Sequence, residues 1–211
     1  MAENLNRAKD NVYVSNIKEI KNQLRKKYLD LRKEMPTEKK TELDGKISTK
    51  LLNSVSYRHA NTVLCYFSTD AEIDTHNIIL TALKDGKKVA LPRCIPEKLT
   101  MNFHYIESFD DLELTSMGIY EPKENLPIFD CNESLSICII PAVVFDKGGY
   151  RIGYGRGYYD RFLNGFSGAQ IGIIYSSCIE DKLPRGRYDC AVDVLITEKG
   201  IQALKLWFIA K

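Results

Sequence analysis

Two consecutive segments are the most informative about the fold: Ile137-Cys-Ile-Ile-Pro-Ala-Val-Val-Phe145 and, directly after it, Asp146-Lys-Gly-Gly-Tyr-Arg-Ile-Gly-Tyr-Gly-Arg-Gly-Tyr-Tyr-Asp-Arg161. The first segment is almost continuously apolar, which is typical of a central strand buried on both faces, and Pro141 predicts a local irregularity in it. The second segment has five glycines between Gly148 and Gly157. A buried strand that leads into such a loop is typical of α/β proteins, which bind ligands beyond the carboxyl ends of their strands.

The flanking segments alternate between strand and helix patterns. Short apolar runs predict strands at Thr62–Phe67, Lys88–Leu91, around Met101–Ile106, at Ala169–Tyr175 and at Ala191–Thr197. Apolar spacings of three and four predict one helix from Ile17 to Pro36, whose stripe is Ile17, Ile20, Leu24, Tyr28, Leu31 and Met35, and a second from about Thr37 along Leu43, Ile47, Leu51 and Val55. A third helix is capped by Asp74 and closed by Gly86, and the Pro- and Glu-rich connection around Gly118–Pro122 is predicted to be a surface loop.

This alternation predicts an α/β fold: a single three-layer domain with a central mostly parallel or mixed sheet and helices on both faces. We assign residues 17–211 to that domain. Residues 1–16 are polar and show no sustained periodicity, so we expect a flexible N-terminal extension there.

Composition excludes several classes of protein. Of the 211 residues, 44% are hydrophobic and 27% are charged, as in ordinary globular domains. No apolar run approaches the roughly 20 residues that cross a bilayer, and there is no signal-peptide pattern, so we expect a cytoplasmic protein with no membrane partner. The six cysteines and three histidines are scattered without metal-ligand spacing, which favours reduced thiols and argues against a zinc site.

The net charge of +2 argues against a nucleic-acid partner, although the segment from Lys18 to Lys50 holds eleven Lys/Arg against six Asp/Glu. Two interpretations of this segment stay open: a pair of solvated helices, or a surface that faces phosphate groups.

The glycine-rich segment favours an anion site. Glycine has no Cβ, so backbone N–H groups can approach a phosphate closely, and a helix that begins near Tyr158 would add its positive end. The spacing matches neither a P-loop nor a dinucleotide-binding fingerprint. A glycine-rich turn without a ligand remains the alternative. The neighbouring side chains favour a ligand, because arginines can bind phosphate and a carboxylate can bind magnesium; they are Arg151, Arg156, Arg161, Tyr154, Tyr158, Tyr159 and Asp160.

Gly149–Asp160, preceded by Pro141–Asp146, resembles the signature of the 5-formyltetrahydrofolate cyclo-ligase family. Other segments match the family in order along residues 17 to about 201: Lys21–Arg25, Tyr66–Asp74, Leu91–Pro92–Arg93, Gly118–Pro122 and Asp193–Glu198. The resemblance implies an enzyme that cyclises 5-formyltetrahydrofolate to 5,10-methenyltetrahydrofolate, with ATP as co-substrate and Mg²⁺ as cofactor. We expect it to act as a monomer.

The resemblance also implies roles for individual residues. ATP would contact Lys21, Arg25, Arg151, Gly153, Tyr154, Gly155, Arg156, Gly157, Tyr158 and Tyr159. The folate would contact Phe67, Glu72, Tyr154 and Tyr158. Magnesium would be held by Asp160 and Asp193, and the catalytic residues would be Arg156 and Tyr159. Either Arg151 or Arg156 would contact the γ-phosphate.

Three other functions are compatible with the sequence: another ATP- or sugar-phosphate-binding α/β enzyme, a non-catalytic folate- or nucleotide-binding module, and a weak RNA binder that uses residues 18–50.

Overall fold

The structure, a computed structural model, describes residues 2–186 and 189–205, with side chains from Asn16 onward. The helices are α1 (Ala2–Lys33), α2 (Thr37–Leu52), α3 (Val55–His59), α4 (His76–Lys84) and α5 (Tyr158–Leu163). The strands are β1 (Thr62–Leu64), β2 (Lys88–Ile95), β3 (Thr100–Ile106), β4 (Leu112–Leu114), β5 (Tyr120–Pro122), β6 (Ser136–Ile140), β7 (Val144–Asp146), β8 (Arg151–Ile152), β9 (Ala169–Ile173), β10 (Ile179–Glu180), β11 (Val194–Ile196) and β12 (Ile201–Ala203).

The central sheet has seven strands in the order β12-β11-β9-β6-β1-β2-β3. Its five inner strands are parallel to one another, while β3 and β12 run antiparallel at the two edges. The predicted α/β fold with a mostly parallel, mixed sheet is therefore confirmed. A three-stranded sheet in the order β10-β7-β8 and the hairpin β4-β5 complete the architecture.

The centre of the sheet is buried as the apolar patterns predict. Every residue of β1 and β6 is buried. Gly172 on β9 is required by this packing, because a Cβ there would come within 2.5 Å of the Phe145 ring. The buried sheet gives the loops at its strand ends a rigid base.

The apolar stretch Ile137–Phe145 is not one strand, contrary to the prediction. Strand β6 ends at Ile140, the chain turns, and β7 joins the smaller sheet beside β8 and β10. Pro141 explains the break, because proline has no N–H to continue the ladder. This turn directs the glycine-rich segment back across the end of the central sheet.

The connection around Gly118–Pro122 was also predicted incorrectly. It contains β5, which pairs with β4 in a short hairpin. Glu121 on β5 is 4% exposed and accepts a hydrogen bond from Cys94 N at 3.1 Å. This hydrogen bond attaches the hairpin to β2. The hairpin could not be predicted from the sequence, because a buried carboxylate in a polar segment gives no periodic pattern.

Helix α1 begins at Ala2 rather than at Ile17, and it ends before Pro36 as predicted. Its buried face agrees with the predicted apolar stripe at Tyr28, but Ile20 and Leu31 of that stripe are exposed and Arg32, which is not part of it, is buried. The reason is that backbone carbonyls accept hydrogen bonds from the Arg32 guanidinium, so a charged residue can occupy the buried face.

The remaining local predictions were partly correct. Leu43, Ile47 and Leu51 of α2 are buried as expected, but Val55 is 52% exposed and begins a separate helix. Thr75, not Asp74, precedes α4, although the Asp74 carboxylate does accept a hydrogen bond from His76 N.

Other predictions concern the ends of the chain and its thiols. The flexibility of residues 1–16 stays a prediction, and residues 187, 188 and 206–211 of the predicted domain lie outside the described part of the chain. Cys65, Cys94, Cys131, Cys138 and Cys178 are free thiols, in agreement with the sequence. Within the described residues no helix is long and apolar enough to cross a membrane.

Candidate active site

A cavity of about 750 Å³ opens at the carboxyl ends of the central strands. Its floor comes from segments that follow β1 and β6 and from β2, and α1 and the tip of the β4-β5 hairpin form two of its sides. The glycine-rich segment from Arg151 to Asp160 lines it throughout. The cavity therefore lies where the sequence predicts a ligand.

Helix α1 contacts the glycine-rich segment through Arg25. The guanidinium donates from Nε to Gly153 O at 2.8 Å and from Nη1 to Asn22 Oδ1 at 2.5 Å. Gly155 has φ 100°, and a Cβ on it would lie 3.4 Å from the same guanidinium. Burial lowers the pKa of Arg25, but an arginine still carries its charge at neutral pH. A cation is thus held directly against the loop.

The three arginines of the segment have different surroundings. Arg151 is buried and donates to Cys190 O at 3.2 Å and to Asp160 Oδ1 at 2.6 Å. Arg161 donates to Leu99 O and Arg156 O, both at 3.0 Å. The Arg156 side chain is exposed and makes no hydrogen bond or ion pair within the described chain. Its guanidinium can therefore receive a ligand.

Two carboxylates line the charged half of the cavity. Asp160 is bound to Arg151, and Asp189 Oδ2 accepts from Lys21 Nζ at 2.5 Å and from Gly186 N at 2.8 Å. Burial raises the pKa of Asp160, Asp189 adds to the rise, and Arg151 opposes it. One oxygen of each carboxylate, Asp160 Oδ2 and Asp189 Oδ1, has no partner among the described residues.

The second predicted metal residue, Asp193, is not among the residues that line the cavity. Its carboxylate accepts from Gln170 N at 2.8 Å and pairs with Lys205 at 3.0 Å. Both of its oxygens are therefore engaged. No group of three or more potential metal ligands occurs in the described chain.

Aromatic and apolar side chains form the other half of the cavity. Phe67 stands edge-on to His76, Phe109 and Tyr120, with ring centroids 4.2, 5.1 and 5.9 Å away. Further apolar residues on this side are Pro92, Met101, Met117 and Ile119. Such a wall suits the flat face of an aromatic or heterocyclic ligand.

Glu72 is the acidic group of this apolar half. Its Oε2 accepts from Thr69 N at 2.9 Å and from Thr69 Oγ1 at 3.0 Å, which fixes the side chain. Burial raises the pKa of Tyr154, and the neighbouring Glu72 carboxylate raises it further. The Tyr154 phenol is therefore protonated at neutral pH.

The Tyr159 hydroxyl is buried without a hydrogen-bond partner among the described residues, and burial raises its pKa as well. Because the hydroxyl oxygen is buried, it does not face the open cavity, although other atoms of Tyr159 line it.

Thirteen of the fourteen predicted site residues line this cavity, with Asp193 as the exception. The sequence interpretation missed Lys18, Cys94, Met117, Tyr120 and Asp189. Cys94 is held as a thiol, since burial and Glu121 raise its pKa to about 12. Asp189 pairs with a residue 168 positions away, and no local pattern predicts such a contact.

An α/β sheet whose strand ends open into a cavity lined by cations, glycines and aromatic side chains suits an enzyme that binds a phosphate-bearing ligand and a ring-bearing ligand together. Comparison with known families identifies which one: residues 17–198 match the 5-formyltetrahydrofolate cyclo-ligase family. The chain belongs to this family.

Individual relatives agree. The chain is 29% identical to the probable 5-formyltetrahydrofolate cyclo-ligase of Caenorhabditis elegans, with 88% of this chain and 96% of the relative covered. It is 30% identical to the 5-formyltetrahydrofolate cyclo-ligase of Haemophilus influenzae, with 82% and 96% covered. The Aquifex aeolicus 5,10-methenyltetrahydrofolate synthetase structure superimposes with a TM-score of 0.79 at 31% identity, covering 91% of this chain and 96% of that chain.

Proposed function

We propose that this chain closes 5-formyltetrahydrofolate to 5,10-methenyltetrahydrofolate with ATP as the phosphoryl donor, releasing ADP and phosphate. The observation that carries the proposal is the division of one cavity into a cationic half and an aromatic half. The two halves meet at the glycine-rich segment, so two substrates bound there would have their reacting groups side by side.

The triphosphate belongs to the cationic half. Lys18, Lys21, Arg25 and Arg156 come from two elements that line the same cavity. Gly155 and Gly157 have positive φ, and the guanidinium groups of Arg25 and Arg161 stand against them, 3.4 and 3.2 Å from where a Cβ would lie. Because Arg151 is engaged at both of its terminal nitrogens, we assign the γ-phosphate contact to Arg156. Helix α5 has only six residues, so its dipole contributes little beside these cations.

The folate belongs to the aromatic half. Phe67 offers an apolar face to the pterin ring, and the Glu72 carboxylate, held in place by Thr69, can accept hydrogen bonds from the donor-rich pterin edge. Tyr154 and Tyr158 lie on the glycine-rich segment, where they line the cavity together with Arg156 and Glu72. Their position supports a role in orienting the formyl group toward the γ-phosphate.

The chemistry needs the formyl oxygen to become a good leaving group. That oxygen attacks the γ-phosphorus and displaces ADP, giving an iminium phosphate. N10 then adds to the formyl carbon and loses its proton, and the oxygen leaves with the phosphoryl group as inorganic phosphate. In phosphoryl transfer, positioning and charge neutralisation dominate, and Arg25 and Arg156 can supply both. The catalytic role of Tyr159 stays a prediction from the family resemblance.

Magnesium would be held by Asp160 together with Asp189. Each offers one oxygen without a partner among the described residues on the cavity wall, and magnesium typically uses one or two carboxylates, with water and phosphate oxygens completing its shell. When bound, the ion would neutralise phosphate charge. Asp193 remains a prediction from the family resemblance, but its two engaged oxygens favour a role in holding β9 and residue 205.

A metal titration distinguishes these carboxylates. We expect Asp160→Asn and Asp189→Asn to weaken binding of Mn²⁺, used as a magnesium probe with ADP present, by about tenfold or more, because each removes an anionic ligand. Asp193→Asn should leave Mn²⁺ affinity within about twofold. Loss of affinity in Asp193→Asn with full affinity in Asp189→Asn would reverse the assignment.

The activity is tested by incubating the purified protein with 5-formyltetrahydrofolate, ATP and Mg²⁺. We expect absorbance of the methenyl product to grow and ADP to appear only when the folate is present. Lys21→Met should lower kcat/KM for ATP by about tenfold, whereas Lys26→Met, on the same helix but outside the cavity, should not change it. ADP release at equal rates with and without the folate would contradict the proposal.

RNA binding is not favoured by the surface. Three lysines of α2 that contribute to the basic segment pair with carboxylates of the same helix: Lys39 and Lys46 with Glu42, and Lys40 with Asp44. These pairs support the interpretation of α2 as a solvated helix.

A further inference from the structure

Arg32 is a buried arginine on α1 that lies behind the cavity wall and outside the short motifs that resemble the family signature. It is 9% exposed, and no carboxylate of the described chain pairs with it within 4.0 Å. Burying a charge is costly unless other groups replace the water. The groups that contact the guanidinium therefore indicate which part of the structure the buried charge holds in place.

One set of contacts fixes the turn between β6 and β7. Arg32 Nη2 donates to Ala142 O at 2.6 Å and to Val143 O at 2.9 Å. Pro141 in this turn lines the cavity, and Val143 N donates to Ile152 O at 2.8 Å, immediately before Gly153. The guanidinium thus anchors the point at which the glycine-rich segment is attached to the sheet.

A second set of contacts concerns the tyrosines around the guanidinium. The Tyr175 ring centroid lies 5.8 Å from the guanidinium carbon. Tyr154 is two residues beyond Ile152, and its pKa is raised by burial and by Glu72 and lowered by Arg32, so both charges act on this phenol. Arg32 Nε is buried without a hydrogen-bond partner among the described residues.

We propose that Arg32 is a positioning residue for the folate half of the cavity: its guanidinium fixes the 141–143 turn and the Tyr154 side chain together, so that Tyr154 and Glu72 stand ready to receive 5-formyltetrahydrofolate. This inference rests on the proposed function. It predicts that the planar guanidinium matters as well as its charge, because a lysine ammonium that contacts the two carbonyls would leave no planar group beside the Tyr175 ring.

The test compares Arg32→Lys, Tyr154→Phe and the double variant. We expect each single variant to raise KM for 5-formyltetrahydrofolate by about tenfold, with KM for ATP changed less than about twofold. Because both variants disturb the same interaction, the double variant should also show a rise of about tenfold, not about a hundredfold.

Tyr28→Phe is the matched control. Tyr28 lies one turn away on the same buried face of α1, and its hydroxyl donates to Glu180 at 2.6 Å outside the cavity, so this variant should lower the melting temperature without changing KM for the folate. Arg32→Gln, which keeps planar donors but no charge, serves as a second variant should Arg32→Lys not fold.

The test distinguishes failure of the proposed function from failure of the role proposed for Arg32. Methenyl product from the wild-type protein is required first, and its absence would refute the proposed function rather than this inference. With an active wild type, multiplicative effects in the double variant, equal rises in both KM values, or failure of both Arg32 variants to fold would each overturn the role of Arg32.

Discussion

Three arginines within eleven residues of one loop have three different environments, and these predict different consequences of losing each one. Arg151 is buried between a carbonyl and a carboxylate, Arg161 joins two stretches of backbone, and Arg156 faces the cavity without a partner among the described residues. Burial and pairing mark a structural arginine, whereas an exposed guanidinium on a cavity wall marks one that binds a ligand.

Arg156→Ala should therefore raise KM for ATP or lower kcat by about tenfold or more while the melting temperature stays unchanged, because no contact within the described chain is lost. Arg151→Ala should lower the free energy of unfolding by about 3 kcal/mol or more, since it leaves the partly buried Asp160 without its partner. Steady-state kinetics and thermal melts of both variants check this. Equal losses of stability in the two would contradict the distinction.

For single residues, the sequence indicates which residue types suit a ligand, but it does not indicate which distant residues they contact. The glycines, tyrosines and cations of the segment could be selected because their chemistry suits a phosphate ligand. The Lys21–Asp189 pair and the buried Arg32 could not, because both depend on how α1 docks on distant loops.

Among the elements, the glycine-rich segment depends most directly on its backbone. Gly155 has φ 100° and stands against the Arg25 guanidinium, so a side chain there is strained and also displaces a cation from the site. Gly86 offers a comparison, because it has φ 73°, a Cβ on it would meet nothing within 4 Å, and it does not line the cavity.

Gly155→Ala and Gly86→Ala should each reduce the free energy of unfolding by about 1 kcal/mol, the cost of a non-glycine residue at positive φ. Gly155→Ala should in addition lower kcat/KM for ATP by about tenfold, because small displacements of a binding group have effects of this size. Urea unfolding and initial rates measure the two effects. Full activity in Gly155→Ala would show that the loop tolerates a shift of Arg25.

Helices and strands could be predicted from the sequence where their apolar residues recur at regular spacing. Strands β1, β2, β3 and β9 and helices α2 and α4 arise where apolar spacing is regular. The division of Ile137–Phe145 into two strands was not predictable, because a continuous apolar run has the same appearance whether it stays in one sheet or enters a second.

For the molecule as a whole, acid should weaken the fold at the end of the sheet opposite the cavity. Burial alone would raise the pKa of Glu133, but hydrogen bonds from Lys88, Tyr105 and Thr62 outweigh burial and lower it. A carboxylate with a lowered pKa contributes stability at neutral pH, and that contribution disappears as the pH falls through its unfolded and then its folded pKa.

Glu133→Gln should therefore reduce the free energy of unfolding by about 1–2 kcal/mol at pH 7. As the pH falls below about 4.5, the variant and the wild-type protein should converge, because the wild-type carboxylate becomes protonated there. Urea titrations across this range give the comparison. Asp181→Asn, which breaks an exposed pair with Lys147, should change stability little at any pH, and a constant difference between Glu133→Gln and wild type would argue against the titration of Glu133.

The family and the sheet could be predicted over nearly the whole chain because ordered motifs and alternating patterns extend from residue 17 to residue 198. What could not be predicted is how α1 contributes to the site. Its sequence shows an amphipathic helix, but Lys21 and Arg25 gain their partners only when the helix lies across two loops, the one that follows β8 and the one that precedes β11.

Helix α1 thus belongs to the core through Tyr28 and Arg32 and to the cavity through Lys21 and Arg25. Docking of the helix and binding of the nucleotide are therefore thermodynamically linked. If docking raises nucleotide affinity by a given factor, a bound nucleotide stabilises the docked helix by that same factor. Amide protons between Asn16 and Lys33 should exchange more slowly with deuterium when ATP is bound, because the bound nucleotide holds the N-terminal helix against the sheet.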